Sequence, residues 1–449
     1  MNHDPGSGKR VLMISFAFFS RPGAGHVRSQ KFAKYLPLFG WEPTILTARL
    51  RGEPELRCSV VDEVGEVRVV EASFHDPFMA TKEILGLERS RDALAQVEES
   101  MGVSPRSMAR ARIMKRIVRL AKDWVAFPDA RITWAPAAVV AGYQELWRGR
   151  YSAIYSTSPP ATNHIVACVL KRLFGLPWVA DFRDLWSQDE FLDRSTRRRK
   201  IERFLERSVI RSADYLVTVN SPYARTLREI HDDKPIAVIT NGFDPDDHAI
   251  EADPVRERLV ITYTGNLYGL RCDPRPVISA LERLIDRDEL SENDVRLRIY
   301  SQWDPAFSEL KNGMRYKEIL EVYDMVSRDD ALKRQKESTA LLAILFDEPQ
   351  ASSCHSSKVF EYMGAGRPIL LWAPRGGIAE DLLTETHTGR FARTDEELGK
   401  ILLEWAREFK ETGEIACQPL EEEVCRYSRR ELTRELAAIM DGAVADSMR

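Results

Sequence analysis

No two of the six cysteines form a CxxC pair; Cys58, Cys168, Cys272, Cys354, Cys417 and Cys425 are scattered along the chain. A zinc site or a disulfide framework is therefore not expected, and reduced thiols in a cytoplasmic setting are the simpler reading. No run of about eighteen apolar residues occurs, so no membrane-spanning helix is expected. Residues 1–10 are polar and glycine-bearing, with no signal-peptide core. There is no internal repeat and no low-complexity tract. Neither sign of charge dominates, and a formal net charge of -4 argues against general nucleic-acid binding. No Gly-x-Ser-x-Gly or His-Glu-x-x-His pattern occurs, and no Asp-x-Asp pair sits where a metal-dependent transferase would need one. Neither a metal nor a resident cofactor is expected.

What is present describes a globular chain, 44% hydrophobic and 30% charged. Its 449 residues exceed one ordinary core and predict two domains of about 200 residues. Val11-Leu12-Met13-Ile14 reads as a buried strand, Arg21-Pro22-Gly23-Ala24-Gly25 as a loop, and 27–38 as a helix with Phe32, Tyr35 and Leu36 on one face. Further buried runs fall near 41–47, 67–70, 153–158, 177–180, 213–219 and 237–241. A second series begins at 259 and continues near 295–300, 340–346 and 367–372. Strands alternating with helices predict an α/β protein with doubly wound parallel sheets. Residues 244–257, with four Asp, two Glu and two Pro, suit a linker. The expected organisation is 1–244, a linker at 245–257, a second domain at 258–428, and a last helix within 429–449 that crosses back to the first domain.

Two stretches carry chemistry. The first follows the apolar run Ala340-Leu341-Leu342-Ala343-Ile344-Leu345-Phe346. After a polar loop, a helix is expected to start near Ser357 and to stop at Gly364 or Gly366. Free amides at Ser356, Ser357, Lys358 and Val359 would carry partial positive charge, and Lys358 adds a full one; both suit a phosphate. Glu361, one turn on, is placed to accept from a sugar hydroxyl. The competing reading is an ordinary crossover capped by Ser357. The second stretch is Asp181-Phe182-Arg183-Asp184-Leu185-Trp186, three charges directly after a buried strand. These are costly to bury unless paired. Asp181 and Arg183 are one candidate pair; the other reading sets Arg183 and Asp184 in a substrate cleft.

These motifs resemble the retaining glycosyltransferases of family 4, which have the two-domain GT-B fold. The resemblance covers most of the chain and is weakest over 50–130. It implies two Rossmann-like domains facing a central cleft, the first on the acceptor side and the second binding a nucleotide-sugar co-substrate. Glu361 matches the second glutamate of the family loop, which contacts the ribose; Ser353 stands where many members have the first. The Asp-Phe-Arg-Asp-x-Trp run matches one branch of the family. The resemblance places Gly23, Gly25, Gly265, Asn266, Arg271, Arg275, Ser356, Ser357, Lys358, Val359 and Glu361 on the donor side. It places Arg28, Ser158, His164 and Arg183 on the acceptor side, and it implies catalytic roles for Arg183, Asp184, Arg271 and Lys358. His164 lies near a helix start, where capping or packing is the competing role.

The implied reaction transfers a sugar, with retention of configuration, to a glycan, lipid-linked or small-molecule acceptor, in cell-surface polysaccharide or glycoconjugate synthesis. Two alternatives stay open: a non-catalytic nucleotide- or sugar-binding protein, and a nucleotide-sugar 2-epimerase using Asp181 and Asp184. A basic amphipathic helix over 105–127, with Ile113, Ile117, Leu120 and Trp124 on one face, suits an anionic membrane surface; packing on its own domain is the competing reading. The run Arg197-Arg198-Arg199-Lys200 opens another helix, in which Glu202 and Glu206 alternate with Arg203 and Arg207; a solvated face is expected there.

Overall fold

The computed structural model describes residues 8–19, 24–49, 60–61, 63–65, 67–75, 127–189, 194–353 and 356–449; of Ala24, Gly25 and His26 only the backbone is described. Gly23 and residues 105–126 of the expected basic helix lie outside these. The chain forms two compact units: 1–219 with 224–237 and 437–449, and 220–223 with 238–436.

In chain order the first unit holds β1 (Lys9–Ile14), α1 (Ala24–Tyr35), β2 (Trp41–Arg49), β3 (Arg68–Ser73), α2 (Ala135–Arg148), β4 (Ala153–Ser158), α3 (Thr162–Phe174), β5 (Trp178–Phe182), α4 (Thr196–Ile210), β6 (Tyr215–Thr218), α5 (Ser221–Arg228) and β7 (Ile236–Val238). The sheet order is β3-β2-β1-β4-β5-β6-β7, parallel from β3 through β6. Helices cover both faces of such a sheet, which is why Val11, Leu12, Met13 and Ile14 are all buried rather than alternately wet. The chain winds outward from β1 to β3, then returns to β4 on the other side of β1. That reversal is a switch point, where the carboxyl ends of β1 and β4 leave room for side chains from two loops. Asp129 starts α3: its carboxylate accepts from the Thr162 amide at 2.9 Å and the Thr162 hydroxyl at 2.8 Å.

The expected solvated face on α4 is present for its cations, Arg197, Lys200, Arg203 and Arg207, but not for its acids. Glu202 and Glu206 are fully buried, while Arg203 and Arg207 are exposed. Glu202 takes Arg194 at 2.6 Å and Arg198 at 2.8 Å. Glu206 accepts from the Ser187 amide at 3.0 Å and faces His231 Nε2 at 3.3 Å. Neighbours in sequence are not neighbours on a helix; residues four apart share a face, so the acids form one stripe and the arginines another.

The second unit holds β8 (Leu259–Thr264), α6 (Arg275–Asp286), β9 (Val295–Tyr300), α7 (Ala306–Gly313), β10 (Leu320–Tyr323), α8 (Arg328–Lys336), β11 (Ala340–Ile344), α9 (Ser357–Ala365), β12 (Ile369–Trp372), α10 (Ile378–Thr386), β13 (Gly389–Ala392), α11 (Asp395–Thr412) and α12 (Glu421–Arg426). Its sheet, β10-β9-β8-β11-β12-β13, is parallel throughout. Leu342 and Ile344 of β11 join one core, Leu341 and Ala343 the other, so each face of the strand is packed against helices. The switch point lies between β8 and β11. A final helix, α13 (Arg429–Ser447), ends in the first unit. There Asp441 accepts from Lys9 Nζ at 2.7 Å and Trp41 Nε1 at 3.0 Å, and Asp446 from the Tyr215 hydroxyl at 3.0 Å.

Candidate functional site

In the second unit, the loops leaving β8 and β11 meet beside the switch point. Gly265 ends β8 with φ +120°, and Tyr268 and Leu270 also have positive φ, +53° and +61°. Non-glycine residues rarely adopt this region, and such backbone collects at functional sites. Asn266 braces the turn: its side-chain oxygen accepts from the Tyr268 amide at 2.6 Å, and its carbonyl from the Tyr263 hydroxyl at 2.8 Å.

The loop after β11 leads into α9. This helix starts at Ser357 and stops against Gly366, φ +68°, as its sequence predicts. The Ser356 hydroxyl makes no capping bond, and the first turn holds no acid. The Val359 amide is used locally, donating to the Ser356 carbonyl at 3.1 Å. Lys358 is half-buried, with its ammonium over the rings of Tyr263 at 4.9 Å and Tyr268 at 5.9 Å. Among the described residues it has no carboxylate partner. Burial lowers its pKa, against the opposing pull of Cys272 and Glu361. A β-carbon at position 265 would stand 2.5 Å from Lys358 Cε, so only glycine leaves the lysine its place.

Glu361 is half-buried and accepts from Gln335 Nε2 at 2.6 Å; the same amide nitrogen reaches Thr264 Oγ1 at 2.9 Å. No other partner of Glu361 is present among the described residues. Sequence reasoning missed Gln335. It lies in α8, which reads as a charged helix, and no spacing marks its burial.

The two arginines behave differently. Arg271 binds Glu348 through both oxygens at 2.6 Å and lies over the Phe346 ring at 4.6 Å. Phe346 contacts Tyr268 edge-on at 5.8 Å, so aromatic side chains connect Arg271 to Lys358. Arg275 opens α6 and turns back onto Asp273 at 2.7 Å. The geometry brings Gly265, Asn266, Arg271, Ser356, Ser357, Lys358, Val359 and Glu361 together at one strand-end region and holds Arg275 on its own acid.

In the first unit the central fact is a buried ion pair. Arg28 and Asp181 are both fully buried, with Nε–Oδ2 at 2.9 Å and Nη2–Oδ1 at 3.0 Å. The Tyr155 hydroxyl at 2.5 Å and the Thr157 hydroxyl at 3.2 Å also donate to Asp181 Oδ2. Burial alone would raise the carboxyl pKa; Arg28 and these hydroxyls outweigh it and hold it below the usual value. The partner of Asp181 is thus Arg28, not Arg183. Arg183 instead reaches Asp184 at 3.2 Å; Arg183 is mostly covered and Asp184 half-exposed. The Ser158 hydroxyl donates to the Asp184 carbonyl at 3.4 Å. Gly25 lies in the first turn of α1, three positions before Arg28 in the same helix.

His164 is fully buried in the first turn of α3. Its Nδ1 is 2.8 Å from Ser156 Oγ, which accepts from Trp178 Nε1 at 2.8 Å. The ring packs on Phe182 at 4.7 Å, and Nε2 has no partner among the described residues. Burial drives its pKa down to about 3, so the imidazole is neutral.

Residues 23–242 match a family model described as the glycosyl transferase 4-like domain. No curated protein sequence matches the chain. Solved structures do. Anabaena HepE in complex with UDP shares 13% identity and a TM-score of 0.60, covering 97% of this chain and 100% of its own. A Rickettsia africae glycosyltransferase shares 13% identity and a TM-score of 0.57, covering 97% and 99%. A putative UDP-N-acetylglucosamine 2-epimerase from Listeria monocytogenes shares 12% identity and a TM-score of 0.54, covering 98% and 97%. The chain has the GT-B fold of two Rossmann-like units, and over 23–242 it is similar to the glycosyl transferase 4-like domain.

Proposed function

We propose that the protein is a glycosyltransferase that takes a sugar from a nucleotide-sugar donor and passes it, with retention, to a glycan, lipid-linked or small-molecule acceptor. The observation that carries this reading is Lys358: a half-buried ammonium without a carboxylate, at an uncapped helix start, beside a glycine that clears its space. A diphosphate supplies the missing negative charge. The HepE neighbour, a complex with UDP, supports a nucleotide here.

In this reading Lys358 and the α9 amides hold the diphosphate, and Arg271 swings from Glu348 to join them. Glu361, oriented by Gln335, accepts from the ribose. Negative charge grows on the leaving diphosphate as the sugar departs, and these cations stabilise it, so no metal is required of the chemistry. The acceptor attacks from the face the nucleotide leaves, and the departing phosphate oxygen takes its proton. Arg183, Asp184 and Ser158 are assigned to the acceptor side, with Arg28 and His164 supporting that side from the interior. Cell-surface polysaccharide or glycoconjugate synthesis at the cytoplasmic face of a membrane is the proposed setting, with the 105–127 segment as one attachment. Among the described residues no helix is long and apolar enough to cross a membrane.

The epimerase reading needs a carboxylate free to move a proton. Asp181 is occupied by Arg28, Tyr155 and Thr157, and Asp184 is paired with Arg183, which favours the transferase. The test is calorimetric titration with UDP and a panel of other nucleoside diphosphates, followed by incubation with the matching nucleotide sugars. Binding by wild type and its loss in Lys358→Met supports the reading. Equal affinity in both overturns the Lys358 assignment, and a changed sugar without transfer selects the epimerase.

A further inference from the structure

Helix α4 is inside out. Its acids face the interior, and Phe204 and Ile201 face solvent, 74% and 42% exposed. Around them stand Arg197, Lys200, Arg203 and Arg207, all exposed and without an ion pair among the described residues. The positions 197, 200, 201, 204 and 207 follow helical spacing and form one stripe.

The neighbouring helices extend this pattern. The crossovers from β3 to β6 all advance in one direction across the sheet, so their right-handedness sets α2, α3 and α4 on the same side. α2 meets α3 through Tyr143 and Phe174 at 5.2 Å. α3 meets α4 through Arg172, which donates to the Ser208 carbonyl at 3.3 Å. The three helices contain three carboxylates, Glu145, Glu202 and Glu206, and all are buried. Every exposed charge on them is positive. Trp147 and Leu173 add apolar surface, 73% and 57% exposed.

We infer that this helical layer docks on an anionic lipid bilayer, with α4 lying in the interface plane and Phe204 and Ile201 entering the boundary between headgroups and acyl chains. The charge pattern selects an anionic partner. An acidic protein or a nucleic acid would be satisfied by the cations alone. A solvent-facing Phe204 amid four cations gains nothing from phosphates but does gain from an apolar layer just beneath them. Trp147 suits the same depth, where indoles collect. The residues of this surface are not those of the 105–127 segment, and the inference does not depend on the nucleotide reading.

The test uses the full chain and co-sedimentation with phosphatidylglycerol or phosphatidylcholine vesicles. Wild type should pellet with phosphatidylglycerol and not with phosphatidylcholine. Ile201→Ser with Phe204→Ser should weaken the binding about tenfold. Lys200→Glu with Arg203→Glu should weaken it more than twentyfold, at about fivefold for each cation lost from an anionic surface. Both variants should keep the wild-type melting temperature and the wild-type nucleoside diphosphate affinity in vesicle-free solution. Wild type that stays in the supernatant overturns the inference. So does a serine variant that binds like wild type, since attachment then lies elsewhere. Loss on charge reversal without loss on serine substitution overturns the insertion of Ile201 and Phe204 and leaves only attraction to the headgroups. Donor titration without vesicles succeeds or fails independently of all three results.

Discussion

Gly265 and Lys358 compete for one volume: a β-carbon on the first would lie 2.5 Å from Cε of the second. Gly265→Ala should therefore displace the lysine, and the residue would also be strained at φ +120°. The expected result is an approximately tenfold loss of nucleoside diphosphate affinity by calorimetry and a destabilisation of about 1–3 kcal/mol in denaturant unfolding.

Lys358→Met separates binding from folding. The ammonium is partly desolvated without a carboxylate, so a thioether of similar length should leave the melting temperature unchanged or higher. Diphosphate binding should fall about 10- to 150-fold, the equivalent of a charged hydrogen bond of about 1.5–3 kcal/mol. A lower melting temperature with unchanged affinity would reverse these roles.

Arg271 and Arg275 are distinguished by their partners. Arg271→Met should weaken diphosphate binding about tenfold or more, whereas Arg275→Met should change it less than twofold, because Arg271 is linked through Phe346 and Tyr268 to Lys358 and Arg275 turns back onto Asp273 at the start of α6. Parallel titrations decide between them; equal losses would assign both to the phosphate.

The Arg28–Asp181 pair predicts a non-additive response. Asp181→Asn or Arg28→Met alone leaves a fully buried charge without its partner, at a cost of about 3–5 kcal/mol. Arg28→Met together with Asp181→Asn should cost less than the sum of the singles. A double-mutant cycle in urea measures the coupling, and additivity would show the pair to be energetically inert.

His164 predicts an acid-side slope. Its folded pKa of about 3 lies below the ordinary 6.5, so the unfolded chain binds a proton that the folded chain refuses. Stability from this group is complete above about pH 6.5 and declines as pH falls toward 3, by about 1.4 kcal/mol per pH unit. Unfolding free energies of His164→Phe should have a shallower acid limb by one proton, and parallel curves would refute the buried neutral imidazole.

Local features of this molecule were legible in its sequence. The strand at 340–344 is a continuous apolar run because helices cover both of its faces, and α9 starts at Ser357 and ends before Gly366 as its residues dictate. Pairings between distant positions were not. Arg28 and Asp181 are 153 positions apart, and Asp181-Phe182-Arg183 offers a nearer but wrong partner. Gln335 is hidden in a run of charges. On α4 the alternation of Glu and Arg suggests a wet surface, but the burial of Glu202 and Glu206 depends on Arg194, Ser187 and His231, none of which the helix itself contains.

The return of α13 to the first unit bears on synthesis. Lys9 and Trp41 share Asp441, so β1 and the start of β2 lack part of their native contacts until residues 437–449 have been made. Between residue 237 and residue 437 lie 199 others. At about 5–20 residues per second, the ribosome needs roughly 10–40 s to cover that interval. The second unit can complete its sheet during this time. The unit that begins first is therefore finished last, and a contiguous fragment such as 1–237 would expose the surface that the returning helix covers.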